Sequence, residues 1–214
     1  MKKLLLLLTL ITISSCSQTI NYSEEKEYFE ERKSILYYKG SPFSGTLTEK
    51  YSNGQLKEKT TYKEGKTNGP YEDYYENGQL KEKATYKEGK TNGPYENYYE
   101  NGQLRDWTTY KEGKTNGPAE RYYSNGQLWA KVNFKEGRKE GPYESYYENG
   151  QLDTKKTYKE GEENGPSESY YENGQLREKV TYKEGLMTGP YEGYWENGKP
   201  RGYWDSINED ILSR

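Results

Sequence analysis

The chain has no histidine and a single cysteine, Cys16, among its 214 residues. One cysteine cannot form an internal disulfide or a multi-thiolate metal site, and histidine is the side chain most often used as a general base. No Ser-Lys pair or glycine-rich phosphate-binding motif stands in a fitting context. We therefore expect a protein that is not an enzyme and that holds no cofactor and no metal ion.

Hydrophobic residues are also scarce: they make up 29% of the chain, against 31% charged residues. Such a composition is typical of disordered chains, but those chains are poor in aromatic residues. This one contains 26 tyrosines, 4 tryptophans and 3 phenylalanines, so tyrosine must supply most of the packing. The 32 basic and 35 acidic side chains are interleaved, and the lack of a basic cluster predicts no nucleic-acid partner.

The N-terminus has the organisation of an export signal. Two lysines precede an apolar run from Leu4 to Ile13, which is too short to span a bilayer as a helix. The Ile-Ser-Ser-Cys sequence ending at Cys16 resembles the bacterial lipobox, in which the cysteine is acylated and becomes the mature N-terminus. We expect a lipoprotein signal peptide over 1–15 and a membrane anchor at Cys16. The alternative is an ordinary secretory signal followed by a free cysteine.

The residues around this signal give the expected location and domain limits. Ser17 stands where an aspartate marks inner-membrane retention in enteric bacteria, so the chain resembles an outer-membrane lipoprotein that faces the periplasm or the cell surface. Residues 16–34 are rich in charge and are predicted to form a tether after the lipidated cysteine. A repeat array is expected over 35–205, and 206–214 is expected to be a polar tail.

Two dipeptides recur with a period of 24 residues. Asn-Gly begins at 53, 77, 101, 125, 149, 173 and 197, and Gly-Pro begins at 69, 93, 117, 141, 165 and 189. Asn-Gly between two β-prone runs is a strong signal for a β-hairpin. Because one hairpin cannot bury enough surface alone, the units must stack. The sequence predicts an all-β fold: an elongated, curved and twisted antiparallel sheet of seven hairpin repeats.

Alternation along each strand assigns the side chains to two faces. With a two-residue loop at Asn77-Gly78, Tyr75 would face Leu80 and Tyr74 would face Lys81. One face then carries the expected core, formed by Tyr71, Tyr75, Leu80, Ala84 and Tyr86. Tyr74 and Lys81 lie on the opposite, polar face, and glycine and proline turn the chain between hairpins. The Tyr75 position is aromatic in all seven units, which predicts a ladder of rings along the stack.

Two tryptophans interrupt the predicted polar face in adjacent units. Trp107 replaces the lysine found at Lys83, and Trp129 replaces the lysine found at Lys81. Exposed aromatic residues are typical of binding patches, so we expect Tyr98, Trp107, Tyr122 and Trp129 to contact a ligand. Alternatively, the array curls until this face also packs and the tryptophans only fill space. Near the C-terminus, Trp195, Tyr203 and Trp204 are expected to cap the stack.

The repeated Tyr-Tyr-Glu-Asn-Gly-Gln-Leu and Tyr-Lys-Glu-Gly-Lys segments resemble the MORN-repeat variant, the module of bacterial YwqK-like antitoxin proteins. The resemblance covers roughly residues 37–204. It implies a β-hairpin repeat fold and a role in protein interaction, and some members of the family are paired with toxins. Because antitoxins of cytoplasmic toxins need no export signal, the signal found here argues for a role at the cell envelope instead.

The expected function is therefore that of a lipid-anchored scaffold that binds a protein partner at the cell envelope, with an antitoxin-like or immunity-like neutraliser as one form. A second hypothesis is a lipoprotein that binds cell-wall or surface glycans, because tyrosine and tryptophan stack on sugar rings. A third is a structural spacer or surface antigen that binds neither.

Overall fold

The computed structural model describes residues 18–202 of the chain. The expected signal peptide over 1–15, the lipidation site at Cys16 and the polar tail over 206–214 lie outside the described residues. Within residues 18–202, no helix is both long and apolar enough to cross a bilayer. The segment before the repeats contains β1 (Thr19–Asn21), α1 (Tyr22–Glu25), a 3-10 helix (Lys26–Tyr28), β2 (Phe29–Arg32), β3 (Ile35–Tyr38) and β4 (Ser41–Pro42).

The repeat region continues with strands that alternate with short turns. These strands are β5 (Gly45–Lys50), β6 (Leu56–Lys63), β7 (Lys66–Tyr74), β8 (Leu80–Lys87), β9 (Lys90–Tyr98), β10 (Leu104–Lys111), β11 (Lys114–Tyr122), β12 (Leu128–Lys135), β13 (Arg138–Tyr146), β14 (Leu152–Lys159), β15 (Glu162–Glu163), β16 (Gly165–Tyr170), β17 (Leu176–Lys183), β18 (Leu186–Met187), β19 (Glu192–Tyr194) and β20 (Pro200–Arg201). The two strands that flank each Asn-Gly form one hairpin. Hairpins 1 to 7 are β5–β6, β7–β8, β9–β10, β11–β12, β13–β14, β16–β17 and β19–β20.

The repeat strands form one long sheet. Together with β1 they make a 17-stranded sheet, while β2, β3 and β4 make a separate three-stranded sheet. Neighbouring repeat strands pair antiparallel, both within a hairpin and between hairpins. Strand β1 runs parallel to β5. The predicted all-β fold, a long and largely antiparallel sheet built from hairpin repeats, is confirmed.

The tightest turns of the sheet lie at Glu-Gly rather than at Asn-Gly. Lys87 pairs with Lys90, which leaves Glu88 and Gly89 as a two-residue loop. Both loop residues have positive φ, 50° for Glu88 and 81° for Gly89, which defines a type I′ turn. The two-residue loop predicted at Asn77-Gly78 is therefore misplaced, and the I′ turn joins one hairpin to the next.

The Asn-Gly turn is a longer loop that is closed by two backbone hydrogen bonds. The N–H of Tyr75 donates to the carbonyl of Gln79 over 2.8 Å, and the N–H of Gly78 donates to the carbonyl of Tyr75 over 2.9 Å. Only the glycine has positive φ, 85°, which matches a three-residue hairpin loop with a glycine bulge. Asn77 stabilises the loop because its Oδ1 accepts from the N–H of Gln79.

A second irregularity shifts the pairing just after this loop. Asp73 pairs with Glu82 as predicted, but Tyr74 pairs with Leu80 instead of Lys81. Lys81 is therefore the extra residue of a β-bulge, and a bulge turns its side chain toward a new direction. The ammonium of Lys81 lies 2.7 Å from the carboxylate of Asp73, on the face that carries Tyr71. The prediction that Lys81 lies on the polar face was therefore wrong.

Proline lies inside a strand rather than at its start. Strand β7 begins at Lys66 and passes through Gly69 and Pro70. The register between β6 and β7 shifts there, because Thr60 pairs with Tyr71 while Tyr62 pairs with Thr67. Since residues in a bulge leave the hydrogen-bond ladder, the missing N–H of proline costs no ladder bond.

Neighbouring hairpins are joined by side-chain hydrogen bonds that repeat along the sheet. The hydroxyl of Tyr75 donates to the carbonyl of Tyr98 over 2.8 Å, and the same contact recurs at every unit boundary from Tyr51 to Tyr171. Asn77 Nδ2 donates to the carbonyl of Glu100, in the turn of the next hairpin. The Tyr75 position, predicted as a ladder of rings, forms a ladder of hydrogen bonds.

The segment before the repeats packs against the first hairpin. Phe43 is 1% exposed, and its ring contacts those of Phe29, Tyr38 and Tyr62 at centroid distances of 5.4 to 6.0 Å. Ile20 of β1 is also buried. The structure therefore differs from the tether predicted over 16–34, because residues 19–32 form strands and short helices that help to close the N-terminal end of the sheet.

The core along the rest of the sheet is thin. Small residues of the expected core face, such as Ala84, Thr60 and Val180, are buried beneath the rings. Tyr71 and Tyr86 are only half-buried, and their rings meet edge to face at 5.8 Å. Tyrosine suits this position because it supplies a large apolar ring whose hydroxyl can remain in water.

Candidate functional site

A missing ring leaves a depression in the repeat surface at hairpin 4. Equivalent positions are named here by their residue in hairpin 2, so the Tyr71 position holds Tyr71, Tyr95, Ala119 and Tyr143 in hairpins 2 to 5. The three tyrosines pair edge to face with Tyr86, Tyr110 and Tyr158 at centroid distances of 5.8, 5.5 and 6.0 Å. At Ala119 no ring fills this place.

The gap at Ala119 opens into a groove of about 380 Å³ over hairpin 4. Four of its lining side chains are hydrocarbon, Ala119, Ala130, Val132 and Phe134, which are called its floor here; Thr108 and Thr115 line it as well. Three further changes to the repeat contribute to this floor. Ala130 stands where hairpin 2 has Glu82, Val132 takes the Ala84 position, and Phe134 takes the Tyr86 position and carries no hydroxyl. Tyr95 and Tyr143 line the groove from the neighbouring hairpins.

Trp129 and Arg121 line one end of the groove. Trp129 is 38% exposed, and its ring lies 6.1 Å from that of Tyr123. The guanidinium carbon of Arg121 stands 5.1 Å from the centre of the indole, which is the arrangement of a cation–π contact. The rings and the guanidinium therefore contact one another at this end of the groove.

Charged groups of both signs line the groove, Asp106 and Glu120 with Arg121 and Lys139, and two guanidiniums gather at one of the acids. Asp106 accepts hydrogen bonds from the Nε atoms of Arg105 and Arg121, so one carboxylate serves two guanidiniums. The hydrogen bond to Asp106 is the main reason why the pKa of Arg105 is raised. At the other end, the ammonium of Lys139 lies 5.0 Å from the ring of Tyr143 and 4.8 Å from that of Tyr158.

A shallower depression continues the groove toward the Asn-Gly loops. It is lined by Tyr99, Tyr122 and Tyr123 and shares Asp106, Arg121 and Trp129 with the groove. The charged cluster therefore stands between the apolar groove and an open aromatic shelf. A ligand longer than one side chain could contact both.

Burial also affects the ionisation of tyrosine in this region. Desolvation, with the charge of Glu82 as the next cause, raises the pKa of Tyr95 to about 12. The ring therefore stays neutral at physiological pH and offers the groove an apolar wall. Among residues 18–202, no group of three or more acidic or cysteine side chains is placed to hold a metal ion.

The structure divides the four residues that the sequence predicted as one patch between the two faces of the sheet, although Trp107 lines the groove with Trp129, and Tyr122 lines the shallower depression with Trp129. Tyr98 and Tyr122 share a face with Trp107, because their hydroxyls donate to Glu96 and Glu120 and Trp107 pairs with both glutamates. Trp129 lies on the opposite face beside Arg121. All four residues remain at least partly exposed, so the expectation that the tryptophans only fill space finds no support in their burial.

The bulge explains why Trp129 was assigned to the wrong face. Arg121 pairs with Ala130 and Tyr122 pairs with Leu128, which leaves Trp129 as the extra residue between them. A strict alternation from the turn cannot detect such an insertion, since each added residue reverses the faces that follow. The predicted common face of Tyr98, Trp107, Tyr122 and Trp129 is corrected accordingly, and their contact with a ligand stays a prediction.

Sequence reasoning also missed Ala119, Arg121 and Phe134. The available signal was the coincidence of these departures within one unit, hairpin 4, where a ring, an acid and a hydroxyl are replaced together. Trp129 was identified because exposed tryptophans are typical of binding sites, but Ala119, the small residue that leaves space in the same groove, was not.

Comparison with known families identifies the repeat. The model of the family described as MORN repeat variant matches residues 44–64, 67–88, 91–112, 115–136, 139–160 and 163–184, which together make up more than half of the chain. These six segments coincide with hairpins 1 to 6, and hairpin 7 lies outside the matched residues. No curated protein matches the chain.

Proposed function

This chain belongs to the MORN repeat variant family, and from that membership we propose that it is a lipid-anchored scaffold that binds a protein partner at the bacterial cell envelope. The observation that carries the proposal is the groove over hairpin 4. Concave apolar surfaces with aromatic walls and a few polar groups at the rim are typical of binding sites, and tryptophan, tyrosine and arginine dominate the energetics of protein interfaces.

The sheet itself suits a scaffold. Each hairpin contacts its neighbours through backbone ladders and tyrosine hydroxyls, so the array presents side chains at fixed spacings without a thick core. A preformed surface loses little conformational freedom when a partner binds. An immunity-like neutraliser is one form of this function, since such a protein needs only to cover a partner's surface.

The proposed anchor rests on the sequence around Cys16. An apolar run that ends in Ile-Ser-Ser-Cys is the pattern of a lipoprotein signal, and two acyl chains give stable membrane attachment where one does not. Strand β1 begins at Thr19, three residues after the cysteine. An extended chain spans at most about 3.6 Å per residue, so an acylated Cys16 would hold the N-terminal end of the sheet within roughly 11 Å of the membrane surface.

Photo-crosslinking in intact bacterial cells tests the proposal. p-Benzoylphenylalanine is placed at Trp129 in the full-length protein, with the equivalent position in hairpin 6, Arg177, as the matched control. We expect a protein adduct from position 129 and none from 177, and we expect Cys16→Ala to abolish it. Mass spectrometry of the mature N-terminus should find acylated Cys16. No adduct from 129, or an adduct that is unaffected by Cys16→Ala, would contradict an envelope scaffold acting through this groove.

A second candidate function is glycan binding on the opposite face. The observation that favours it is Trp107 in register between Glu96 and Glu120, close to Tyr98 and Tyr122, because aromatic rings beside acceptor groups suit sugar hydroxyls. Retention of the protein on purified cell-wall material, lost with Trp107→Ala but not with Trp129→Ala, would establish this function. A structural spacer predicts that neither substitution matters.

A further inference from the structure

We propose that the groove over hairpin 4 takes one aromatic side chain of a peptide segment, and that Arg105 and Arg121 take a carboxylate next to that side chain in the peptide. This inference rests on the proposed function, because it names the chemistry of the partner. Its two halves come from two independent observations, the missing ring at Ala119 and the basic excess beside it.

The first observation is that the groove lies where a ring is missing between two neighbouring hairpins that have one; hairpin 6, with Ser167, also lacks the ring. In hairpins 2, 3 and 5, the ring at the Tyr71 position packs against the ring at the Tyr86 position. In hairpin 4, Phe134 still supplies the second ring, while Ala119 leaves out the first. A ring that entered from outside would meet Phe134 as Tyr71 meets Tyr86, edge to face, which is a favoured geometry.

The second observation is the charge at the end of the groove. At the Asp73 position hairpin 4 carries Arg121, and at the Lys81 position it carries Trp129. The acid–base pair that joins Asp73 to Lys81 in hairpin 2 is thus absent from this unit, and Arg121 turns to Asp106 of the preceding hairpin instead. Asp106 also serves Arg105, so basic charge is left in excess.

Both arginines have donors to spare. Each uses its Nε atom for Asp106, and a guanidinium carries five N–H donors in a planar fork. The terminal nitrogens therefore suit a second carboxylate, which binds a guanidinium with two parallel hydrogen bonds. Asp and Glu side chains of a peptide supply that group at a fixed distance from a neighbouring ring.

The floor of the groove favours a peptide over a sugar. Ala119, Ala130, Val132 and Phe134 present carbon atoms where a buried sugar hydroxyl would need a hydrogen-bond partner. A hydroxyl buried without a partner loses its hydration uncompensated, whereas a phenyl ring gains by burial. Rings that bind sugars also present an open platform, but here the walls formed by Tyr95 and Tyr143 enclose the entering group.

Calorimetric titration of the purified full-length protein with short blocked peptides tests the inference. The probe contains Glu-Phe-Glu flanked by Gly and Ser, and its two variants replace the phenylalanine by alanine or both glutamates by glutamine. We expect the probe to bind, the alanine peptide to bind about tenfold more weakly and the glutamine peptide several-fold more weakly. Equal binding of the three peptides, or no binding of the probe, would overturn the inference.

Protein variants locate the site. Ala119→Tyr restores the ring found in neighbouring hairpins, so the protein should stay folded by circular dichroism while its affinity for the probe falls about tenfold. Ser167→Tyr makes the matched change at the same position of hairpin 6 and should leave affinity unaltered. Arg121→Gln should weaken the preference for glutamate over glutamine, because only Arg105 remains, and Asp106→Asn should strengthen binding of the probe. Unchanged affinity in a folded Ala119→Tyr protein would refute the assigned site.

The failure of this inference can be told from the failure of the proposed function. A protein adduct from position 129 in cells, together with no binding of the peptides, keeps the scaffold and removes the aromatic–acidic recognition. If the peptides bind, the binding is lost with Ala119→Tyr and no adduct forms in cells, the inferred peptide recognition stands and the proposed partner at the envelope is rejected. Binding of a cell-wall disaccharide with the same sensitivity to Ala119→Tyr would replace the peptide by a glycan.

Discussion

The hydroxyl of Tyr75 donates a hydrogen bond to the backbone carbonyl of Tyr98, 2.8 Å away and 23 residues later in the chain. The donor belongs to hairpin 2 and the acceptor to hairpin 3, so a side chain from one repeat satisfies the backbone of the next. The tyrosine at this position therefore links adjacent units through its hydroxyl.

Tyr75→Phe should lower the free energy of unfolding by about 1 kcal/mol, the usual net value of an intramolecular hydrogen bond. The ring is retained, so packing changes little. Urea denaturation of the full-length protein measures the effect, with Tyr28→Phe as control because Tyr28 is among the more exposed tyrosines. Equal losses in the two variants would show that the bond to Tyr98 adds no stability.

The Glu-Gly turns offer a stabilising substitution. Glu88 has a φ of 50°, a region that disfavours a side chain with a Cβ atom by roughly 1 kcal/mol or more, whereas asparagine tolerates it better. Glu88→Asn should therefore raise the free energy of unfolding by about 0.5 kcal/mol. Glu76→Asn, made in the other type of loop where φ is not positive, should bring no gain. A melting temperature that rises equally in both variants would argue against relief of turn strain.

The buried cluster around Phe43 should be needed for the N-terminal end of the sheet. Phe43→Ala removes a ring that three other rings surround. Such a change typically lowers the free energy of unfolding by about 3–5 kcal/mol. Leu186→Ala, at a side chain that is 70% exposed, should cost less than about 0.5 kcal/mol. Hydrogen exchange should show loss of protection in β1 to β6 first. Undiminished protection there would mean that residues 19–43 are dispensable for the fold.

Alkaline pH should unfold the sheet through its tyrosines. Desolvation raises the pKa values of Tyr62, Tyr95, Tyr98 and Tyr122 to about 12, above the value of about 10 for an unfolded chain. Because the folded state holds these protons more tightly, its stability is fully present below pH 10 and is lost as pH rises toward 12. Tyrosinate absorbance and circular dichroism, followed together, should change in one cooperative transition. Ionisation of these four tyrosines near pH 10 with the sheet intact would contradict the raised values.

The repeat period was enough to predict the fold but not the details of its turns. Asn77-Gly78 and Glu88-Gly89 both separate β-prone runs, and the choice between a two-residue and a three-residue loop depends on the backbone angles of single residues such as Glu88. Glutamate is an unusual choice for positive φ. The sequence therefore predicted the two-residue turn at Asn-Gly, the dipeptide that favours positive φ, but the structure has this turn at Glu-Gly.

The site was predicted only in part for a related reason. Trp129 was identified by its departure from the repeat, but its face depends on a bulge that no local preference of Trp129 or Leu128 reveals. The groove also depends on Ala119, whose small side chain leaves free the volume that tyrosine fills in the neighbouring hairpins. The contribution of residues 19–32 was hidden too, because β1 pairs with β5 across a long sequence separation and shares none of the repeat pattern.

The bonds between hairpins keep the same register from one unit to the next, and this has a genetic consequence. Deleting one 24-residue period in frame would bring a tyrosine donor opposite an equivalent carbonyl, as Tyr51 and Tyr74 already stand. Unequal recombination between near-identical units can thus shorten or lengthen the protein by two strands, about 10 Å, per event. Loss of hairpin 4 would also preserve the sheet, but it would remove the groove. Selection for the number of repeats can therefore act on any hairpin, whereas selection for recognition acts on hairpin 4.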